Sequence, residues 1–200
     1  YRKLRMKSNI QRNIHYSTYG FCLPNKGFPE LIQAIHLLLK DGIHCNLSLY
    51  TALYDSNLSL SFYKQLVDLI DKLHLHDYVK INTTFMSDKE TLKKLSKTDL
   101  VVFPYQFTNE SASGAVRQAI SSFTPVAVTP LSIFDDVAPV VHKLPGCSST
   151  LIAKGLKDWS LNYFRNSTMT DTEIAWRKQH SFKRLGYKLQ GLIKSIEVNY

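Results

Sequence analysis

Polar side chains crowd the connection between a buried strand and a helix in the segment from Thr108 to Ser113. The apolar run Leu100 to Phe103 is typical of a strand interior, and residues 115–120 are typical of a helix. Backbone N–H groups at a helix start have no partner within the helix, so they attract anions and above all phosphates. The segment therefore predicts an anion-binding site. An ordinary capped loop in an α/β domain is the competing interpretation.

A lysine lies in a comparable position after the first predicted strand, in the turn Asn25-Lys26-Gly27. Polar segments also follow the other predicted strands, at residues 51–54, 83–85, 105–114 and Thr129. Open parallel sheets bind ligands at the carboxyl ends of their strands, so these segments are predicted to share one edge. We expect Lys26 and the helix start near Ser111 to face one ligand there.

The elements that must position these residues alternate between strand and helix. Strands are predicted at residues 16–23, 45–53, 78–83, 99–104, 125–129 and 137–144. Helices are predicted around the apolar positions of residues 31–39 and 63–73, and at residues 88–95, 111–122, 148–156 and 173–196. The order predicts a doubly wound, Rossmann-like α/β fold. Its mostly parallel sheet has about six strands, with helices on both faces and a long C-terminal helix.

Composition divides the chain into three parts. Residues 1–14 read as a basic linker or tail, residues 15–160 as one folded domain, and residues 161–200 as a polar linker with a C-terminal helix packing on that domain. Because the sequence begins with Tyr1 and not with methionine, we expect it to be a piece of a longer protein.

The net charge of +9 is carried by the two ends of the chain. Residues 13–176 hold 14 basic and 15 acidic side chains, whereas five basic residues precede them and six follow. A duplex-binding protein usually spreads its basic patch over a folded face, so nucleic acid is not the expected partner. We interpret the basic ends as a solvated tail and a solvated helix face, with attraction to an anionic membrane surface as the alternative.

Cysteine usage and hydropathy favour a soluble, cytoplasmic protein. Cys22, Cys45 and Cys147 are odd in number and far apart, which fits reduced, buried residues better than a disulfide framework. No run approaches the roughly 20 apolar residues that a membrane span needs. The sequence also predicts no metal site, because the paired acids Asp135-Asp136 have no companion cluster of ligands.

Three segments match motifs that occur together in one group of enzymes. GFCLPNKG at residues 20–27 resembles a G-R-x-x-x-x-K-G turn, and FMSDKETL at residues 85–92 resembles F-V-S-D-x-E-x-L. Residues 104–128 resemble P-x-x-x-E-x-x-G-x-x-x-x-E-A-x-x-x-x-x-P-V-V-A. Together these motifs resemble the C-terminal, donor-binding half of retaining GT-B glycosyltransferases of the large group 1, or family 4, type. That type includes many lipopolysaccharide and capsule enzymes.

The resemblance covers residues 15–156 and implies what the domain of residues 15–160 binds. The substrate would be a nucleotide sugar such as a UDP-, GDP- or ADP-sugar, and no cofactor or metal is implied. The sugar would pass to a glycan or lipid-linked acceptor with retention of configuration. As catalytic residues, Lys26 would contact the diphosphate and Glu110 the donor-sugar hydroxyls, while Gln118 would bind the ribose. The other implied donor-binding residues are Gly20, Thr84, Phe85, Ser111, Ala112, Ser113, Gly114 and Arg117.

The family also implies a partner domain. The chain would supply only the C-terminal half, which binds the donor without turnover, and the last helix resembles the segment that crosses back to an N-terminal domain. Its basic face would suit a protein at the inner face of the membrane, near a lipid-linked acceptor.

Two positions depart from the motifs. Phe21 stands where the family has a phosphate-binding arginine, and Gln118 replaces a glutamate that accepts ribose hydrogen bonds more strongly. Arg117 is a candidate to compensate for the missing cation. The departures leave a second hypothesis open, namely a non-catalytic binding or scaffolding module with a degenerate donor site. A different α/β nucleotide-binding enzyme is the third.

Overall fold

The computed structural model describes residues 13–54, 56–163 and 170–197, and six strands of these residues form one parallel sheet. The strands are β1 (Ile14–Phe21), β2 (Cys45–Ala52), β3 (Val79–Asn82), β4 (Leu100–Phe103), β5 (Val126–Val128) and β6 (His142–Lys143). Their order in the sheet is β3-β2-β1-β4-β5-β6. The doubly wound, Rossmann-like prediction is confirmed, and the order changes direction between β1 and β4.

Helices connect these strands and follow the last one. They are α1 (Phe28–Lys40), α2 (Ser56–Lys72), α3 (Asp88–Leu95), α4 (Gly114–Ser121), α5 (Ser149–Tyr163), α6 (Asp171–Gln179) and α7 (Phe182–Glu197). Shorter 3-10 segments occur at Pro24–Lys26 and Ser132–Val140. In the residues that the structure describes, no helix is long and apolar enough to cross a membrane.

The core has two layers, one on each face of the sheet. Strand β4 contributes to both, because Leu100 and Val102 pack in the layer with α1 and α5, while Val101 and Phe103 pack in the layer with α4. Successive side chains of a strand point to opposite faces, so a strand covered on both sides reads as one apolar run. The sequence run Leu100 to Phe103 is therefore the centre of the domain.

Helix α4 starts three residues later than predicted. Ser113 has extended backbone angles, φ −107° and ψ 113°, and its hydroxyl accepts a hydrogen bond from the Val116 N–H. Such a side-chain cap satisfies one of the unpaired N–H groups of the first turn. The predicted start at Ser111 is wrong because Ser113 supplies this cap.

The predicted helix over residues 173–196 is interrupted. Helix α6 ends at Gln179, and the hydroxyl of Ser181 accepts a hydrogen bond from the Arg184 N–H as the next helix begins. The hydroxyl of Ser181 thus caps α7 and separates it from α6.

The sixth strand is also shorter than predicted. Residues 137–140 belong to the 3-10 segment and only His142–Lys143 pair in the sheet, since Pro139 has no N–H to donate.

Helix α6 packs on the domain. Trp176 packs partly buried against the layer that contains α4. The Arg177 guanidinium donates to the Ile120 carbonyl at the end of α4 and lies 5.1 Å from the centre of the Phe123 ring. These contacts join α6 to the layer that contains α4. Residues 1–12 of the basic tail predicted at residues 1–14 lie outside the described residues.

The cysteines are unpaired. Cys22 and Cys45 are buried and Cys147 is half-buried, all with free thiols. Burial raises the pKa of the Cys45 thiol to about 12, so it stays protonated near neutral pH.

Candidate functional site

A cleft of about 320 Å³ opens at the carboxyl edge of the sheet, beside β1 and β4. This is the point where the strand order changes direction, the usual ligand position in open α/β sheets. The lining residues are Tyr19, Gly20, Phe21, Lys26, Tyr50, Ala52, Thr84, Phe85, Met86, Tyr105, Glu110, Ser113, Gly114, Ala115 and Gln118.

Lys26 is held in the cleft by a tight turn. The 3-10 segment Pro24–Lys26 ends at Gly27, whose φ of 71° is in the left-handed region that suits glycine. A Cβ atom on Gly27 would lie 1.8 Å from the Pro104 carbonyl oxygen. Only glycine therefore lets the lysine turn pack against the end of β4. The Gln106 N–H donates to the Asn25 carbonyl at 3.0 Å and ties the two segments together.

The Lys26 side chain is largely buried, and its ammonium makes no hydrogen bond to the described residues. Its side chain is 8% exposed, and Nζ lies 3.8 Å from Glu110 Oε2 and 4.1 Å from the centre of the Tyr105 ring. A buried ammonium with three N–H donors needs acceptors or anions around it. The surroundings of Lys26 thus suit an anionic ligand.

Glu110 faces Lys26 from the loop between β4 and α4. Its backbone N–H donates to the Thr108 hydroxyl at 3.0 Å, which shapes the loop locally. The carboxylate side chain is 58% exposed. An ionised carboxylate only accepts hydrogen bonds, so Glu110 can bind hydroxyl groups of a ligand in the cleft.

The N-terminus of α4 forms the wall beside these two residues. Ser113 caps the helix, and Ser113, Gly114 and Ala115 line the cleft. The partial positive charge of a helix N-terminus adds to that of Lys26. Both features therefore attract a phosphate group to the same volume.

Gln118 lines the cleft one turn further along α4. Its side-chain N–H donates to Asp88 Oδ1 at 2.9 Å, at the start of α3. This bond uses the amide's donor side and leaves its oxygen as an acceptor. Gln118 is therefore oriented to accept a hydrogen bond from a ligand hydroxyl.

Thr84 and Phe85 approach from the loop after β3. The Thr84 N–H donates to the Asn82 side-chain oxygen at 2.9 Å, and the Phe85 ring is 75% exposed. An exposed aromatic ring beside a polar cleft offers a flat apolar surface for a ring of the ligand.

Phe21 closes the cleft at the end of β1. Its ring is 39% exposed and its centre lies 4.9 Å from that of Tyr54, which follows β2. Gly20 precedes it with a φ of 144°. Position 21, where the motif has an arginine, is thus occupied by a ring that packs against Tyr54.

The structure brings most of the predicted site residues together. Those that line the cleft are Gly20, Lys26, Thr84, Phe85, Glu110, Ser113, Gly114 and Gln118. Ser111, Ala112 and Arg117 do not line it. Arg117 instead pairs with Asp136, because neighbouring residues on a helix point about 100° apart and Gln118 takes the side that faces the cleft. The suggested compensation for Phe21 by Arg117 is therefore not seen.

Sequence reasoning did not select Tyr105, Tyr19 and Tyr50, which also line the cleft. The available signal for Tyr105 was its place directly after Pro104 at the end of a buried strand.

The two neighbouring acids are used elsewhere. Asp135 bonds to Lys143 at 2.9 Å and Asp136 pairs with Arg117. Within the described parts of the chain, no group of three His, Cys, Asp or Glu residues is placed to hold a metal ion.

Solved structures share this fold. Sucrose-phosphate synthase from Thermosynechococcus elongatus matches with a TM-score of 0.78 and 12% identity over 95% of this chain and 47% of its own. The C-terminal domain of the glycosyl transferase group 1 family protein LpcC from Francisella tularensis matches with a TM-score of 0.68 and 15% identity. That match covers 84% of this chain and 85% of the LpcC domain.

A third structure contains ligands. Anabaena HepE, solved in complex with UDP and glucose, matches with a TM-score of 0.75 and 14% identity over 92% of this chain and 48% of its own. This chain spans about half the length of sucrose-phosphate synthase and of HepE. No protein-family model matches the sequence, and no curated protein does. The chain has the Rossmann-like fold of the C-terminal half of GT-B glycosyltransferases.

Proposed function

We propose that this chain binds the nucleotide-sugar donor of a glycosyltransferase in the cleft beside β1 and β4. The observation that carries the proposal is the Lys26 ammonium, which makes no hydrogen bond to the described residues and lies in the same cleft as the first residues of α4. Glu110 lies 3.8 Å from the same ammonium, and its carboxylate can accept hydrogen bonds from sugar hydroxyl groups. A ligand that carries a phosphate next to a sugar therefore fits this arrangement.

The diphosphate binds between Lys26 and the start of α4. When the glycosidic bond to the diphosphate breaks, negative charge grows on the leaving phosphate oxygen. Fixed positive groups stabilise that charge more in the transition state than in the bound substrate, and this difference accelerates the reaction. Lys26 and the α4 N–H groups are such fixed groups, so the transfer needs no metal ion.

The sugar and the nucleoside occupy the two sides of the diphosphate. Glu110 accepts hydrogen bonds from hydroxyl groups of a hexose and fixes the position of its anomeric carbon. Gln118 accepts one from the ribose, and the exposed Phe85 ring covers the base. Transfer with retention of configuration follows from the family that the motifs resemble.

The acceptor and the remaining catalytic groups lie on an N-terminal half of a longer protein. Helix α7 is the surface for that half, because five apolar side chains within residues 183–196 are about half exposed or more: Leu185, Leu189, Leu192, Ile193 and Ile196. They recur at helical spacing and form one stripe. This chain alone therefore binds the donor without transferring its sugar.

The acceptor is a glycan or a lipid-linked saccharide of polysaccharide or lipopolysaccharide biosynthesis. Four basic residues of α7, Lys183, Arg184, Lys188 and Lys194, suit work at the anionic inner face of a membrane.

Titration of the full chain with UDP, GDP and ADP tests the donor-binding role. We expect one nucleotide to bind and Lys26→Ala to weaken its binding by about tenfold or more, since a charged hydrogen bond is lost. Lys157→Ala is the matched control, because Lys157 pairs with Asp41 on an exposed surface. Binding of none of the three nucleotides contradicts the proposal.

A non-catalytic binding or scaffolding module is the second candidate, favoured by Phe21 at the cleft edge. A phenyl ring cannot stabilise a leaving phosphate, and Gln118 is a weaker acceptor than a carboxylate. A protein that binds a nucleotide but shows no transfer when its N-terminal half is present would support this candidate.

A further inference from the structure

Tyr105 lies between the two phosphate-binding features of the cleft. It lies two residues after the end of β4 and is 2% exposed. Its ring centre lies 4.1 Å from the Lys26 Nζ, and its hydroxyl lies 3.4 Å from the Ser113 hydroxyl, which caps α4. One side chain therefore contacts both the buried cation and the helix start.

The ring of Tyr105 fixes the position of the ammonium. A cation over an aromatic face is attracted by the negative face of the ring, and the attraction grows when water is excluded. Lys26 has a flexible four-carbon stem, and Glu110 alone, at 3.8 Å, does not define where its end group lies. Without the ring, the ammonium could follow the exposed carboxylate out of the cleft.

The hydroxyl of Tyr105 determines what Ser113 can donate. The Ser113 oxygen already accepts from the Val116 N–H at 3.4 Å. When Tyr105 donates to the same oxygen, the Ser113 proton is left for a ligand in the cleft that Ser113 lines. Tyr105 thereby converts the cap of α4 into a donor for a phosphate oxygen.

Tyr105 is itself held rigidly. Its carbonyl accepts a hydrogen bond from the Thr129 hydroxyl at 2.7 Å. Its ring packs against Phe134 at 5.3 Å and Phe103 at 6.1 Å between ring centres. A side chain fixed in this way can hold two other groups at a constant separation.

We propose that Tyr105 is a positioning residue that places Lys26 and Ser113 for the phosphates of the donor. This inference rests on the proposed donor-binding function. The phosphate affinity of the cleft then depends on the Tyr105 ring, even if this ring does not touch the ligand. The dependence matters here because Phe21 replaces the arginine of the motif.

Two substitutions separate the roles of the ring and the hydroxyl. Tyr105→Leu removes both, while Tyr105→Phe keeps the ring under the ammonium. Phe62→Leu is the matched control, because it removes a buried ring of the opposite core layer that packs against Phe28 and does not line the cleft. The probes are UDP, GDP and ADP with their nucleosides, titrated against the full chain.

We expect Tyr105→Leu to weaken binding of the preferred nucleoside diphosphate about tenfold and Tyr105→Phe about threefold, with nucleoside affinity unchanged. Phe62→Leu should change neither affinity. Equal losses for diphosphate and nucleoside in Tyr105→Leu, or no loss for either, would overturn the positioning role.

A ligand-free measurement keeps the inference testable if the wild-type chain binds no nucleotide. The ε-methylene protons of Lys26 should show an upfield ring-current shift by NMR, kept in Tyr105→Phe and lost in Tyr105→Leu. Absence of nucleotide binding with this shift present overturns the proposed function alone. An unshifted Lys26 resonance in the wild type overturns the positioning role.

Discussion

Lys26 Nζ and Glu110 Oε2 lie 3.8 Å apart, although one residue follows β1 and the other follows β4. The pair places a cation next to a carboxylate at the carboxyl edge of the sheet. In the free protein the carboxylate partly neutralises the cation, so a ligand must satisfy both groups to bind well. Under the proposed function, a molecule that joins a phosphate to a polyol satisfies both groups.

Replacing Glu110 should separate sugar affinity from nucleotide affinity. In Glu110→Ala we expect the nucleotide sugar to bind about tenfold more weakly and the matching nucleoside diphosphate to lose less than about threefold, since only the sugar uses the carboxylate. Calorimetric titration with both ligands checks this. Asp135→Ala, which removes the partner of Lys143 at β6, is the control. Equal losses of affinity for both ligands would show that Glu110 does not contact the sugar.

Gly27→Ala should destabilise the fold strongly. A methyl group would lie 1.8 Å from the Pro104 carbonyl, and the backbone has a positive φ. We expect the free energy of unfolding to fall by about 3 kcal/mol, measured by urea denaturation. Gly42→Ala isolates backbone strain, because Gly42 has a φ of 77° but nothing within 4 Å of its added Cβ. It should cost only about 1 kcal/mol.

The hydrogen bond from Gln118 to Asp88 predicts the result of restoring a carboxylate at position 118. Gln118→Glu alone replaces a donor by a like charge and should lower the free energy of unfolding by about 1 kcal/mol. Adding Asp88→Asn should restore it, because the new amide can donate to the glutamate. The double variant should bind the nucleoside several-fold more tightly than wild type. A double variant that stays destabilised would contradict the contact.

Phe21→Arg should supply the cation that the motif lacks. At low salt we expect nucleoside diphosphate affinity to rise about tenfold, and the gain to shrink as ionic strength increases. Leu53→Arg is the matched control, because Leu53 is 40% exposed and follows the neighbouring strand β2. An equal gain in both variants would show only a general charge effect.

Stability should fall in mild acid because of the half-buried His15. Burial lowers the pKa of His15, whose Nε2 lies 2.8 Å from the Ser48 hydroxyl. The unfolded chain therefore binds a proton at higher pH than the folded one. The free energy of unfolding should decrease as pH falls below about 6.5, the unfolded value. His15→Gln should reduce this pH dependence in urea denaturation at pH 7 and pH 5.

The sequence predicted the sheet well because its strands are apolar runs between regular helices. The run of β4 and the alternation in β2 identified buried strands directly. The start of α4 was missed because a serine cap looks the same in sequence as a serine inside the first turn. The break before α7 was missed because the apolar spacing continues across His180 and Ser181.

The sheet topology predicted which site residues lie close together. It did not predict which hydrogen-bond partners their side chains have. Loops at the carboxyl ends of parallel strands must share an edge, so Lys26 and Glu110 could be placed together. The bond between Gln118 and Asp88 joins residues 30 positions apart, and the rotation of α4 decides whether residue 117 or 118 faces the cleft. The partner of Gln118 and the rotation of α4 depend on tertiary packing, which the spacing of residues in the sequence does not predict.

Strand β4 has a further consequence for how the domain unfolds. It packs in the layers on both faces of the sheet, with alternate residues in each. Neither layer can lose its packing without exposing a strand on which the other depends. Heating the protein should therefore melt both layers in a single cooperative transition, with aromatic and backbone signals changing at the same temperature.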